Sequence, residues 1–292
     1  VLTHHTSASE RPARVVVLGA GGVIGTALTA RLQRDSIATL ALGSADVDLQ
    51  AAGAAEALSS RLRGDDALVF LAALPPDKRH DLATLMANLR MAQAVACAVA
   101  SAGCRHLLYL SSDAVYPLDD GVIDETTPAD PVDLYGVMHR TREVMLARAL
   151  PAVPLAVLRA TMVCAAGDTH LAYGPNRFRR EAARSGTITL FGEGDETRDY
   201  VCADDVAGLI MRVLLHRSTG LLNLVSGRSY RFEYVARRVA ACFAPPPRIV
   251  NAAPGGPVTH RRFDASAVTH AFPEFRLRPL EEFIGEIAAP GP

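Results

Sequence analysis

Two hydroxyls and an imidazole stand at spacings suited to moving a proton to or from an alcohol or carbonyl. The run Leu110-Ser111-Ser112-Asp113-Ala114-Val115-Tyr116 ends an apolar stretch, and about twenty residues on, Tyr135-Gly136-Val137-Met138-His139 falls in a helical pattern. Hydroxyls at the carboxyl end of a parallel strand face the crevice where such sheets bind ligands, and a residue four along from Tyr135 shares its helix face. Ser112 and Tyr135 can therefore converge on one substrate oxygen, with His139 beside them. Asp113 suits a structural cap in the turn that follows.

A second constellation suits a pyrophosphate. Gly19-Ala20-Gly21-Gly22-Val23-Ile24-Gly25 places glycines at 19, 22 and 25, directly after an apolar run and before a helical one. Glycine permits the tight turn and lets backbone N–H groups and the helix N-terminus approach phosphate oxygens. A glycine-rich turn can also merely join strand to helix, but its place in a first βαβ unit favours the dinucleotide reading. An acid at the end of the second strand would select NAD; here that end is Leu42-Gly43-Ser44, with Asp46 and Asp48 following. The preference is NAD, with NADP open.

The elements that must position these groups alternate. Apolar runs at Arg14–Leu18, Ala38–Leu42, Ala67–Ala72, His106–Ser111 and Leu155–Arg159 are separated by helical patterns at Val23–Arg34, Ala51–Arg63, Asp81–Ala102 and Val132–Leu150. That order predicts an α/β fold with a doubly wound parallel sheet. Beyond Ala160 the pattern breaks into Gly- and Pro-punctuated pieces, with one more helix at Ala203–His216 and a strand at Leu221–Val225. The expected division is a disordered arm over 1–13, a dinucleotide domain from 14–161 and 202–225, and a smaller discontinuous substrate domain from 162–201 and 226–292.

Composition narrows the class. The chain has 292 residues, 49% of them hydrophobic, enough for a large core without disulfides or metals. A net charge of −1 gives no basic field for nucleic acid. The five cysteines, odd in number and without a C-x-x-C pair, are expected to be buried thiols, and no metal is expected. Neither an apolar leader stretch nor an uninterrupted apolar span of ~18 residues is visible, so the expectation is no membrane and a cytoplasmic location. Lys78 is the only lysine.

Taken in order, these features resemble the extended short-chain dehydrogenase/reductase family of nucleotide-sugar epimerases, dehydratases and reductases, over roughly residues 14–285. The matching elements are Gly19-x-x-Gly22-x-x-Gly25, Phe70-Leu71-Ala72-Ala73, Asn88, Ser111 to Tyr116, Tyr135, Tyr173-Gly174-Pro175, Phe191-Gly192-Glu193-Gly194 with Thr197 to Val201, and Asp204-Asp205-Val206-Ala207. The resemblance implies that Ser112 orients a substrate hydroxyl or keto oxygen while Tyr135 transfers the proton. It implies a cofactor site of Gly19, Gly22, Val23, Ile24, Gly25, Ser44, Leu71, Ala72, Ala73, Tyr135 and His139, with Asp48 at the adenine and Asn88 supporting the active-site helix. Arg198, Arg261 and Asp264, with Asn176, would hold a sugar nucleotide, arginine's fork matching phosphate oxygens; surface ion pairing is the plainer role for the two arginines. Relatives also pair their long helices into a homodimer.

Three departures stand out. The family tyrosine is followed four residues on by lysine, which lowers the phenol pKa and binds the nicotinamide ribose; here His139 occupies that place. Either His139 substitutes, charged when the site closes, or Lys78 reaches in from its loop, or the enzyme is slow, has a different chemistry or keeps only ligand binding. Asp113 matches the acid of the 4,6-dehydratases, but Ala114 replaces their glutamate, which disfavours dehydration. Met162 stands where many epimerases have asparagine, and 163–176 looks rearranged around Asp168 and His170. The leading expectation is a sugar-nucleotide epimerase, then a 4-ketoreductase, then a dinucleotide-binding sensor without turnover.

Overall fold

The computed structural model describes residues 1–6, 10–74, 81–118, 121–166, 168 and 174–288. Its principal sheet has seven strands: β1 (Leu2–Thr3), β2 (Val15–Leu18), β3 (Thr39–Leu42), β4 (Ala67–Phe70), β5 (His106–Ser112), β6 (Leu155–Ala160) and β7 (Thr219–Leu224). Their order is β1-β7-β6-β5-β4-β2-β3, parallel throughout except for β1 against β7. Successive residues of β2 serve opposite faces. Val15 and Val17 join one core with Leu28 and Leu32 of α1 (Val23–Arg34), whereas Val16 and Leu18 join another with Leu58 of α2 (Ala54–Ser59) and Val95 of α3 (Leu82–Ala102). A strand buried on both faces reads as an unbroken apolar run, which is why Val15-Val16-Val17-Leu18 shows no alternation.

α4 (Leu134–Ala149) lies beside α3 on the second face, with Leu146 in that core. α3 is long and apolar enough to cross a membrane. Here it is a core helix, since Met91, Ala92, Val95, Ala98 and Val99 are buried against the sheet.

A smaller body carries α5 (Gly174–Ser185), α7 (Phe232–Ala240) and α9 (Leu280–Ala288) around Phe178, Tyr200, Val235 and Phe283. It includes the three-stranded sheet of Met162–Cys164, Thr197–Cys202 and Ser229–Arg231. Between those stretches, α6 (Ala203–Leu215) packs on α1 in the first core. The parallel pair Val122–Ile123 and Arg262–Phe263 ties the bodies together, with Phe263 packed among Val115, Tyr116 and Ile123.

Four details differ from the sequence reading. The arm expected to be disordered instead supplies β1, and His4 and His5 fasten it by contacts of 2.7 and 2.8 Å to Ser218 Oγ and Thr219 Oγ1. The helix expected over Ala51–Arg63 is only Ala54–Ser59, because Gly53, at φ +79, turns the chain just before it. α8 (Ser266–Ala271) and the turn after it send Val268, Phe272 and Leu277 into the first core, not into the smaller body. Of the thiols, Cys104, Cys164 and Cys202 are buried, but Cys97 on α3 is exposed.

Candidate active site

Two crossovers leave β2 and β4 side by side with helices departing to opposite faces, which opens a crevice at their carboxyl ends. The turn from β2 into α1 lies there. A Cβ on Gly19, whose φ is +89, would stand 2.8 Å from Ala72 N, so the turn can lie against the end of β4 only as glycine. A Cβ on Gly25 would stand 2.3 Å from Gly19 O, which fixes how closely α1 approaches that turn. Gly22 caps α1 with no side-chain hydrogen bond and no acid follows in the first turn, so the first N–H groups, those of Val23 and Ile24 among them, face outward unclaimed by side chains. Leu71, Ala72 and Ala73 form the other lip of the crevice and are half-buried. Ser44 and Asp48 are exposed beyond β3, and the Asp48 carboxylate accepts from Gln50 N at 2.9 Å, so it caps its own turn.

β5 and α4 bring the reactive residues together. Ser112 closes β5 and caps the short 3-10 turn Asp113–Val115, accepting from Ala114 N at 3.2 Å. Asp133 caps α4 by accepting from Gly136 N at 2.7 Å, which sets Tyr135 in the first turn. Gly136 admits the turn against the helix, since a Cβ there would be 2.1 Å from Ala114 O. Burial pushes the Tyr135 phenol up to about 12; Asp113's charge adds to this, while Arg142 and the hydrogen-bonding Ser112 oppose it. Ser112 Oγ also lies 3.4 Å from Asp113 Oδ1. Burial raises the Asp113 carboxyl as well, against the pull of Arg261 and Arg198.

His139 is buried edge-on to Tyr135, ring centroids 4.6 Å apart at 84°. Its Nδ1 meets Tyr109 Oη at 2.7 Å, and its Nε2 is buried without a partner. Burial first, and then the Arg142 charge, hold the imidazole well below its ordinary pKa. Both effects oppose a charged His139 and favour the neutral ring. Lys78 lies outside the described residues.

Sequence reasoning named Asn88 as a support of the Tyr135 helix but missed Arg142 and Glu143. Arg142 is fully buried and spans two segments: Nη1 donates to Ala72 O at 2.9 Å, and Nε and Nη2 donate to Asn88 O at 2.9 and 2.7 Å. Asn88 returns the connection by accepting from Leu74 N at 2.9 Å and donating to Leu74 O at 3.1 Å, so it ties the β4 lip as well as α4. Glu143 accepts from Ser111 Oγ at 2.7 Å and from Arg159 at 2.9 and 2.7 Å, locking α4 to β5 and β6. Helical spacing was the available signal: Arg142 is seven residues from Tyr135 and three from His139.

The residues expected to hold substrate are partly assembled. Arg261 is buried and donates to Asp113 O at 3.1 Å and Tyr116 O at 3.3 Å. Arg198 donates to the Thr259 and Thr197 carbonyls, each at 2.9 Å, with Thr259 Oγ1 at 2.7 Å. Arg261 N donates to Thr197 O at 3.0 Å, so the two arginines come from adjoining stretches of chain, and both pull on the Asp113 carboxyl. Arg198 also pairs with Glu196 at 3.5 Å, so an ion-pair role stands beside these bonds. Asp264 is exposed and caps Ser266 N at 2.8 Å. Asn176 is buried, donating to Asp168 while its Oδ1 lacks a partner.

The model of the NAD dependent epimerase/dehydratase family matches residues 15–224. The chain belongs to that family. MoeE5, solved with UDP-glucose and NAD, superposes with a TM-score of 0.83 at 22% identity, covering 94% of this chain and 97% of its own. The UDP-glucose 4-epimerase of the hyperthermophilic eubacterium Thermotoga maritima, solved with UDP-glucose, gives 0.82 at 17% identity over 94% and 97%. RMD from Pseudomonas aeruginosa, complexed with NADPH, gives 0.83 at 20% over the same shares. At these identities the likeness is one of fold. The epimerase/dehydratase chain described here is thus an NAD-dependent enzyme with a short-chain dehydrogenase/reductase fold. Its residues suit the dinucleotide: the glycine cradles and uncapped α1 fit a pyrophosphate, and the orphaned His139 Nε2 fits a hydroxyl of the nicotinamide ribose.

Proposed function

We propose that this enzyme is a sugar-nucleotide epimerase that keeps NAD bound, uses Tyr135 as its acid and base, and uses neutral His139 in place of the family lysine. NAD, when bound, takes a hydride from a sugar carbon and returns it. Ser112 orients the oxygen on that carbon. Tyr135 accepts the hydroxyl proton as the carbon is oxidised and returns it after the sugar has turned. Arg198 and Arg261, which both pull on the Asp113 carboxyl, hold the diphosphate, and Asn176, Asp264 and Asp48 remain candidates for substrate and adenine contacts.

The carrying observation is His139 Nε2, a buried polar atom with no partner on the helix face of Tyr135. A neutral ring whose Nδ1 accepts from Tyr109 presents an N–H at Nε2, the donor a ribose hydroxyl needs. Exposed Leu82 and Met86 on α3, with Val137 and Val144 on α4, support pairing of two copies through these helices.

Purified protein should carry NAD and interconvert two sugar nucleotides with no net change in nicotinamide absorbance. His139→Ala should keep the fold while losing turnover and NAD affinity; unchanged turnover and affinity would reject the role of His139. A stoichiometric absorbance change with a keto-sugar nucleotide would instead establish a ketoreductase.

A further inference from the structure

The family lysine supplies a ribose contact and a positive charge beside the tyrosine, and neutral His139 can supply only the first. We propose that Arg142 supplies the second, as a positioning residue whose fixed charge acts on Tyr135 from inside α4 through the Tyr109 hydroxyl and the His139 ring. This inference rests on the role of Tyr135 given above.

Among the described residues the guanidinium has no carboxylate partner. It is fully buried, yet its hydrogen bonds go to the neutral oxygens of Ala72 and Asn88, with Met91 Sδ at 3.5 Å. Neighbouring Glu143 is claimed by Arg159, Ser111 and Arg140. Arg142 also lies over the face of Phe70, 4.9 Å from the centroid. An arginine remains protonated in such a place, so its charge is neither titrated nor cancelled by an ion pair among the described residues.

The path to the site is short. Tyr109 packs against Phe70, the ring that the guanidinium overlies, with centroids 5.4 Å apart, and its hydroxyl meets His139 Nδ1 at 2.7 Å; the Arg142 charge pulls on that hydroxyl. Polarised toward the guanidinium, the Tyr109 hydroxyl donates more firmly to Nδ1, which fixes the Nε2–H tautomer. The His139 and Tyr135 rings meet in a T-shape with centroids 4.6 Å apart, so the imidazole touches both the Tyr109 hydroxyl and the phenol. The charged or titratable groups facing Tyr135 include Asp113 from the turn after β5, Asp133 from its own helix cap, Tyr109, His139 and Arg142, the last being the fixed cation among them. Those facing Tyr109 include Arg142, Glu143, Tyr135 and His139. Two helical turns separate Arg142 from Tyr135, about 10 Å, at which a unit charge in an effective dielectric of about 20 moves a phenol by about one pH unit.

The chain has no tryptophan and seven tyrosines, so tyrosinate absorbance can be read cleanly. In NAD-loaded protein, the difference between the parent and Tyr135→Phe isolates the Tyr135 midpoint. Arg142→Met should raise that midpoint by about one pH unit and move the pH profile of kcat with it; Arg142→Lys should restore both. A folded Arg142→Met protein with the parent midpoint overturns the proposal, as does a midpoint that follows Lys78→Met instead. Should Arg142→Met not fold, nitrogen NMR of His139 in the parent decides. The proposal requires a neutral ring protonated at Nε2 near pH 7, and an imidazolium there overturns it. If no sugar nucleotide turns over, the epimerase reading fails while the titration still tests Arg142.

Discussion

Replacing Gly136 by alanine tests whether the closeness of α4 to the turn after β5 sets the chemistry. The added Cβ would stand 2.1 Å from Ala114 O, 2.9 Å from Ala114 C and 2.8 Å from Pro131 Cβ. Backbone cannot rotate away as a long side chain would, so helix and turn must part by about 1.3 Å to reach ordinary contact. Ser112 and Asp113 move with the turn and Tyr135 with the helix, which widens the gap that one substrate oxygen must bridge. A misplacement of about 1 Å costs roughly a hundredfold in rate, or about 2.7 kcal/mol of transition-state stabilisation. Overpacking should lower folding stability by about 1–3 kcal/mol. Gly136→Ala should therefore remain folded in urea titration, bind NAD nearly as the parent does, and lose about two orders of magnitude in kcat. A stable variant with kcat within about threefold of the parent would refute the claim that this contact sets the reacting geometry.

Other substitutions probe other parts of the frame. Gly19→Ala combines a left-handed φ of +89 with a contact of 2.8 Å to Ala72 N, and should weaken NAD binding about tenfold or more by calorimetry, with Tyr135 chemistry little changed at saturating NAD. Glu143→Gln leaves the Arg159 guanidinium buried without its counter-charge and should cost about 3 kcal/mol in denaturant unfolding. Acid should destabilise the fold through His106, whose burial lowers its pKa from 6.5 to about 4. Between those values the unfolded chain binds a proton that the native state refuses, so this stability is complete above pH 6.5 and is lost as pH falls toward 4. Its size is about 3 kcal/mol, and unfolding of His106→Phe followed across that window should show a flatter pH dependence.

What the sequence revealed tracks how local each cause is. Val23–Arg34 is a helix with the expected bounds because its start follows from the Gly22 turn and its face from spacing alone. Tyr135, Ser112 and His139 come together because each lies at the end or first turns of an element whose period is legible. Arg142 was illegible for the opposite reason: its acceptors, Asn88 O and Ala72 O, lie 54 and 70 residues away. Arg261 likewise reaches Tyr116 O across 145 residues, so its hold on the turn after β5 follows only from how the small pair Arg262–Phe263 docks. His139 shows a subtler limit. Its position was plain from sequence, but the fall in its pKa comes from burial and from Arg142.

β1 makes the two sides of the principal sheet unlike as places for another strand to add. On one side, Leu2 and Thr3 run antiparallel to Gly220 and Thr219 and cover that stretch of β7, with Val1 O only 2.5 Å from where a Cβ on Gly220 would stand. On the other, β3 pairs only with β2 among the described residues and offers its remaining N–H and C=O groups outward. Such edges are where sheets recruit foreign strands. A chain shortened or crowded at Leu2 would therefore have two adhesive borders instead of one, and its solubility would depend on a two-residue strand far from any chemistry.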